Sequence, residues 1–182
     1  MNEELQRIRG YLRAQGAKLE PAAIVDKVRA AMADLHAAAR AVPVARWTER
    51  PAPEEWSGNE VLAHVVGAGR YFGGGILAIL DGAAVPARPP REDPAGAPVR
   101  PPGEWERILA ADRETLFARA RAADPGVRLT ETVEHPMFGP LNWRETLLFM
   151  RLHDLDHAGQ LGKIAAALAS ARVGGRARGD SA

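Results

Sequence analysis

Two histidines near the end of the chain, His153 and His157, have the spacing of a metal-binding pair. They lie four residues apart in a segment whose apolar residues recur at helical intervals, so both imidazoles project from the middle of one apolar face. Neutral imidazoles buried side by side need polar partners, and one metal ion bound to nitrogen satisfies both. Because a chain with five histidines also produces this spacing by chance, the pair alone does not specify a site.

The other three histidines differ in how well their predicted positions suit a third ligand. His64 lies at the edge of the apolar stripe of an earlier helix, where it is either a solvated surface residue or a group facing a cleft. His36 lies among alanines on another predicted helix and is expected to be exposed. His135 precedes a proline in a predicted loop, from which it could line the mouth of a site. The chain has no cysteine, so every metal ligand must be a His, Asp or Glu.

Helices must position these side chains, because helical periodicity covers almost the whole sequence. The helix ends are marked by prolines, by a capping box at Ser57 and Glu60, by Asp81 with the glycine after it, and by Asn142 before the last helix. Residues 127–141 show short alternation and are predicted to form at most one hairpin. The predicted helices span about residues 3–14, 21–42, 57–80, 103–123 and 142–171.

A proline-rich segment, residues 83–102, separates the third and fourth predicted helices and contains seven prolines. As polyproline II it could span about 62 Å, whereas the helix before it is only about 37 Å long. It is therefore long enough to return along the whole bundle, so that two neighbouring helices run in the same direction. Recognition by a proline-binding domain is the alternative interpretation of this composition.

The sequence thus predicts an all-α fold. We expect a four-helix bundle over residues 20–171, with the long crossover between its second and third helices. An N-terminal helix within residues 1–19 is expected to precede the bundle, and a flexible tail at residues 172–182 to follow it.

Three segments carry a distinctive set of residues: Trp56-Ser57-x-x-Glu60-Val61-Leu62-x-His64, His135-Pro136-x-Phe138-Gly139 and His153-Asp154-x-Asp156-His157-x-x-Gln160-Leu161. Together they resemble the DinB-like superfamily, which includes DinB/YfiT-type proteins, bacillithiol-type thiol transferases and mycothiol-dependent maleylpyruvate isomerase. The resemblance covers about residues 20–170. It implies a four-helix bundle with a long crossover and a metal ion held by His64, His153 and His157. Nitrogen ligands of this kind suit a divalent ion, and we expect zinc or nickel.

A metal ion held by three neutral imidazoles would keep open coordination positions, as catalytic sites do. Water bound there becomes a nucleophile near neutral pH, and the ion can also polarise a carbonyl or bind a thiolate. Glu60, one turn before His64, is the first candidate to accept a proton, with helix capping as its alternative role. Asp156 is the second candidate, and it could instead orient a ligand or pair with Lys163 on the surface.

Three further polar residues are predicted at the rim of the site, where they would contact a substrate. They are Tyr71, His135 and Gln160. Polar residues at the edge of a core are the alternative interpretation of Tyr71 and Gln160.

The composition excludes several classes of function. The 182 residues carry 24 Lys and Arg against 23 Asp and Glu, a formal net charge of +1, without the cationic excess typical of nucleic-acid binders. The absence of cysteine excludes disulfides and thiolate chemistry by the chain itself. The first residues lack the pattern of a signal peptide, and the apolar runs are shorter than the ~20 residues that cross a bilayer. A cytoplasmic protein without a membrane partner is therefore expected.

Two functions are compatible with these features. The first is a metal-dependent transferase or hydrolase that acts on a small molecule, with a low-molecular-weight thiol as a candidate co-substrate. The second is a non-catalytic metal-binding helical dimer of stress-response type. A second apolar strip on the last helix predicts a homodimer interface, unless the N-terminal helix covers it. The strip comprises Leu148, Leu152, Leu155, Gly159 and Gly162.

Overall fold

The computed structural model describes residues 3–90 and 93–176, with side chains up to residue 170. Within those ranges the chain forms five α-helices and one short hairpin, which confirms the predicted all-α class. The helices are α1 (Glu3–Lys18), α2 (Pro21–Ala41), α3 (Gly58–Asp81), α4 (Pro102–Arg121) and α5 (Trp143–Arg176), and the strands are β1 (Val133–His135) and β2 (Gly139–Leu141).

The helix boundaries follow from local signals in the sequence. Ser57 and Glu60 form the predicted capping box at the start of α3, in which each side chain accepts a hydrogen bond from the other residue's amide. Gly82 ends that helix with φ of 71°, a left-handed conformation that favours glycine. The side chain of Asn142 accepts hydrogen bonds from the first amides of α5.

The first and the last helix of the chain are longer than predicted. α1 continues to Lys18, and α5 continues to Arg176, beyond its expected end near residue 171. The remainder of the predicted flexible tail, from residue 177 onward, lies outside the described residues. The division of the chain at residues 19 and 171 stays a prediction.

Four helices form the bundle. α2 packs against α4 and α5, and α3 packs against the same two helices, so that α4 lies diagonally across the bundle from α5. α3 and α4 run in the same direction. At their starts, the indole of Trp105 donates to Asn59 (2.9 Å), and at their ends Arg119 donates to Asp81 (2.8 Å). This parallel pair confirms the predicted crossover, which is extended apart from a 3₁₀ turn at Pro94–Gly96.

The apolar core consists of two clusters of buried side chains. The first includes Ile24, Val28, Phe72, Ile76, Leu116, Phe117, Trp143 and Leu147, and the second includes Leu35, Val61, Val65, Trp105, Leu109, Leu161 and Ile164. Along α4 and α5, four polar residues lie between the two clusters. They are Arg113, His153, Asp154 and His157. We call this set the polar layer.

An ion pair within the polar layer spans the diagonal of the bundle. Arg113 on α4 and Asp154 on α5 are 2% and 0% exposed. The guanidinium donates to both carboxylate oxygens of Asp154, with Nη2 2.8 Å from Oδ1. Charged side chains are almost never this deeply buried unless they are paired.

The expected exposure of His36 on α2 is wrong. The ring is half-buried, and its Nε2 is buried without a hydrogen-bond partner among the described residues. Desolvation lowers the pKa of His36. The charge of Glu106 raises this pKa and that of Arg40 lowers it, and the net shift is downward. The alanine-rich sequence around His36 resembles an exposed face, but α4 packs over it.

α1 covers part of the second apolar strip of α5. Leu12 of α1 and Leu148 of α5 are both fully buried in the first core cluster. Nη1 of Arg151 donates a hydrogen bond to the hydroxyl of Tyr11 (3.4 Å). Beyond that contact, Leu155 is half-buried, whereas Gly159 and Gly162 are exposed. The far half of the strip is therefore open on the surface of the chain.

α3 is the one helix of the described residues long and apolar enough to cross a membrane, on length and composition alone. Its apolar residues, among them Val61, Val65, Phe72 and Ile76, are buried in the two core clusters. This burial is the pattern of the central helix of a soluble bundle.

Candidate metal centre

Three imidazoles from two helices converge at one side of the polar layer. His64 projects from α3, and His153 and His157 project from α5. The Nε2 atom of His153 lies 3.2 Å from the Nε2 of His64 and 3.2 Å from the Nε2 of His157. One ligand nitrogen from each ring lies within 4.8 Å of the other two. α3 and α5 are antiparallel neighbours, which is how residues so distant in sequence meet.

The spacing of these nitrogens fits a single ion. Zinc binds imidazole at ~2.0–2.1 Å, so two nitrogens in a tetrahedral site lie about 3.3–3.4 Å apart. Both Nε2···Nε2 distances to His153 are close to that value. The donor set, three imidazoles without a thiolate, suits zinc and also nickel.

Hydrogen bonds do not account for the close approach of the two α5 histidines. Nδ1 of His157 donates to Oε1 of Gln160 (2.8 Å), so the Nε2 of His157 carries a lone pair. The Nε2 of His153 holds at most one proton, which provides one hydrogen bond for two neighbouring nitrogens. A cation at the centre would bind the lone pairs of both α5 histidines at once.

The surroundings of His153 keep its ring neutral. Desolvation lowers the pKa of His153 well below its usual value of 6.5, and His157, His64 and Arg113 lower it further. A neutral imidazole is the form that binds a metal ion.

The buried ion pair engages the carboxylate that is adjacent in sequence to one of these histidines. Asp154 follows His153 directly, yet both of its oxygens accept hydrogen bonds from Arg113. The cluster identified among the described residues therefore contains three imidazoles and no carboxylate.

The structure places Glu60 in the helix cap. Its carboxylate accepts hydrogen bonds from the amide of Ser57 (2.7 Å), from the Ser57 hydroxyl (2.8 Å) and from Arg50. Burial by itself would raise the pKa of Glu60, but the hydrogen bonds from Arg50 and Ser57 lower it overall. This engagement supports the capping role that the sequence offers as an alternative to proton transfer.

Asp156, the other carboxylate proposed from the sequence, is exposed on α5. It makes no hydrogen bond or ion pair with the described residues, either to an imidazole or to Lys163. Its oxygens are available to solvent.

The predicted rim residues have three different environments. The hydroxyl of Tyr71 donates to the backbone carbonyl of Glu134 (3.0 Å), and burial raises its pKa. Gln160 holds His157, as described above. His135 is 5% exposed within an aromatic group, with its ring centre 4.3 Å from that of Phe149. Its Nδ1 accepts hydrogen bonds from the backbone amides of Met137 and Phe138, and these bonds fix the turn between β1 and β2.

Trp56 forms a wall of the centre, a role that was not predicted for it from the sequence. Its ring lies 5.0 Å from that of His64 and stacks at 6.3 Å on that of His157, at an interplanar angle of 16°. The only sequence signal is its position directly before the capping serine, which brings it back over the first turns of α3.

Replacing Gln160 by leucine is expected to weaken zinc binding about 10- to 100-fold, because the Nδ1 proton of His157 loses the acceptor that orients the ring. Isothermal titration calorimetry of the untagged protein measures the change. Gln160→Glu keeps an acceptor and is expected to restore most of the affinity. Equal affinity in Gln160→Leu and the wild type would contradict this role.

His135 is expected to make the fold sensitive to acid. Desolvation lowers the pKa of His135 to about 4, whereas in the unfolded chain it is near 6.5. The unfolded chain therefore binds this proton first, and stability present above pH 6.5 is lost as the pH falls towards 4, by about 3 kcal/mol in all.

The variant His135→Asn isolates this effect. Its amide oxygen can replace Nδ1 as acceptor for the two turn amides but does not titrate. Urea unfolding at pH 7 and pH 4.5 is expected to show a smaller loss of stability in the variant than in the wild type. Parallel losses would show that other groups carry the acid sensitivity.

Comparison with known proteins identifies one family that the chain matches. A family model described as DinB superfamily matches residues 27–161, about three quarters of the chain. The matched range contains all three converging histidines and the crossover. No curated protein and no solved structure matches the chain.

Proposed function

The chain belongs to the DinB superfamily, and we propose that it is a cytoplasmic, metal-dependent enzyme that binds one zinc or nickel ion through His64, His153 and His157. The reaction we propose is a group transfer to a low-molecular-weight thiol or a hydrolysis, on a small-molecule substrate. The observation that supports it most strongly is the convergence of three imidazoles from two helices, whose ligand nitrogens all lie within 4.8 Å of one another, at the spacing that one ion requires.

When bound, such an ion would supply Lewis-acid chemistry and lower the pKa of a coordinated water or thiol. The residues of the chain hold the site ready for it. His153 stays unprotonated in its desolvated position, and Gln160 directs the Nε2 lone pair of His157 inward. Trp56 covers two of the rings and limits the access of water on its side.

The proton acceptor in this proposal is Asp156 or solvent. Glu60 has its oxygens engaged by Arg50 and Ser57, so a role for it in proton transfer would require breaking the cap. Asp156 is exposed on the same helix as two of the ligands, and its oxygens can accept a proton through an intervening water.

Removal and return of the metal test the proposal. The untagged protein is stripped with a chelator and reloaded with zinc or nickel. Hydrolysis of 4-nitrophenyl acetate and consumption of cysteine in the presence of an electrophilic bimane are then followed. The proposal predicts that one of these reactions is lost on stripping, returns on reloading and is absent in His153→Ala. Rates that do not respond to metal in either assay would contradict it.

A second candidate function is a non-catalytic metal-binding dimer. The surface of α5 around Leu155, Gly159 and Gly162 favours it, because small exposed residues beside an apolar side chain permit close helix approach. Sedimentation at micromolar concentration tests this interface. A dimer that Gly159→Arg converts to a monomer would support it, and a monomeric wild-type protein would contradict it.

A further inference from the structure

A cavity of about 520 Å³ lies between α3, α4 and the crossover segment. Its α3 wall is formed by Ala63, Val66, Gly67 and Arg70, which recur at helical spacing along one face. Its volume falls within the range of small-molecule sites, about 300–1,000 Å³.

The cavity and the candidate metal centre share a wall. His64 lines the cavity, and the Nε2 of the same ring lies 3.2 Å from that of His153. A molecule in the cavity would therefore touch one of the three proposed ligands, which brings its nearest group to the edge of the metal centre.

The roof of the cavity is fixed by side chains of the bundle. Asn59 donates to the carbonyl of Pro98 (3.3 Å) and accepts from the amide of Arg100 (3.0 Å). The indole of Trp47 donates to the carbonyl of Arg100 (2.8 Å), and that of Trp105 donates to Asn59 (2.9 Å). Asn59 is 3% exposed and hydrogen-bonded through both its amide oxygen and its amide nitrogen, so this network holds the crossover in place.

Two guanidiniums of the lining can donate hydrogen bonds to an anion in the cavity. Arg70 and Arg100 line it, and Asp93 is the one acidic residue among the described lining residues. Each arginine also pairs with a carboxylate outside the lining, Asp112 and Glu104. Arg70 uses its Nε for Asp112 and Arg100 uses Nη1 for Glu104, so each guanidinium keeps further N–H donors. One oxygen of Asp93 is already engaged by the amide of Ala95.

The remaining lining is largely apolar. Val66, Trp105 and Ile108 contribute hydrocarbon and aromatic surface to the same cavity as the two arginines. A ligand that matches this lining has an apolar body and a carboxylate, which a guanidinium can bind through two parallel hydrogen bonds.

We propose that this cavity between α3, α4 and the crossover is the substrate site of the metal centre, and that the substrate is a small organic carboxylate with an apolar body. The proposal rests on the proposed function, since it assigns a substrate class to the same site.

Binding of 4-phenylbutyrate to the zinc-loaded full chain tests the assignment, with 4-phenylbutyramide as the uncharged analogue of the same shape. Gly67→Leu fills the cavity, because a Cβ at Gly67 meets nothing within 4 Å. Gly74→Leu is the matched control, since Gly74 lies on the same helix with equally open space but does not line the cavity. Calorimetry measures affinity, and metal analysis of every sample measures zinc content.

The expected result is saturable binding of the carboxylate, at least tenfold stronger than binding of the amide. Gly67→Leu and the double variant Arg70→Gln/Arg100→Gln are expected to lose at least tenfold in affinity, whereas Gly74→Leu binds as the wild type does. Absence of carboxylate binding, or equal binding by Gly67→Leu with zinc present, would overturn the cavity assignment and leave the metal centre standing. A protein that takes up no zinc would instead overturn the proposed function.

Discussion

Asp154→Asn is expected to lower the free energy of unfolding by about 3–5 kcal/mol, because it leaves the Arg113 guanidinium charged, buried and without its counter-ion. The two side chains are 3% and 0% exposed, so water cannot replace the missing carboxylate. A loss of this size is a large part of the stability of an ordinary domain, about 5–15 kcal/mol. Urea unfolding followed by circular dichroism measures it.

Two companion variants separate the buried pair from a general effect of the substitution. Asp26→Asn removes the same charge from the exposed pair that Asp26 forms with Arg121, and is expected to cost less than about 1 kcal/mol. The double variant Arg113→Met/Asp154→Leu replaces both charges by apolar groups and is expected to recover most of the lost stability. If the Asp154→Asn variant were as stable as the wild type, the account of the polar layer would be contradicted. A double variant that is less stable than Asp154→Asn would contradict it as well.

Loss of any one of the three converging histidines is expected to weaken zinc binding by more than about 100-fold. Removal of an outer partner of a ligand costs about 10- to 100-fold, and removal of the ligand itself costs more. His64→Ala, His153→Ala and His157→Ala each delete one of the three nitrogens. Competition with a chromophoric zinc chelator measures the affinities.

The control for this series is His135→Asn, which replaces a buried histidine outside the cluster. It is expected to leave the affinity for zinc within about threefold of the wild-type value. A large loss in the control, or an unchanged affinity in any of the three cluster variants, would show that the cluster does not hold the ion.

Most of the fold could be predicted from the sequence because its signals are local. The Ser57–Glu60 capping box, the glycine at position 82 and the cap at Asn142 act over a single helical turn, and each forms as expected. The crossover followed from proline content and reach, which depend on the length of the segment and not on its contacts. The extra turns of α1 and α5 carry no such signal.

The electrostatics of the site could not be predicted in the same way, because they depend on residues far apart in sequence. Glu60 resembles a catalytic base until Arg50 is seen to bind it. No pattern within α5 indicates that both oxygens of Asp154 are engaged, because their partner, Arg113, lies on the diagonal helix. Gln160, the partner of His157, is three residues further along the same helix. Helical spacing alone could therefore have predicted this contact.

His36 shows the same limit. Its neighbours in sequence are alanines, which occur equally on exposed and on closely packed faces. The packing of α4 over α2 decides between the two, and no pattern within α2 indicates it.

X-ray absorption spectroscopy at the zinc edge of the untagged protein, loaded with one equivalent of zinc, tests the central claim most directly. The account predicts stoichiometric uptake and a first shell with three imidazole nitrogens at ~2.0–2.1 Å, completed by a light ligand from solvent. Failure to take up one zinc ion, or a shell with fewer than three imidazoles, would contradict it.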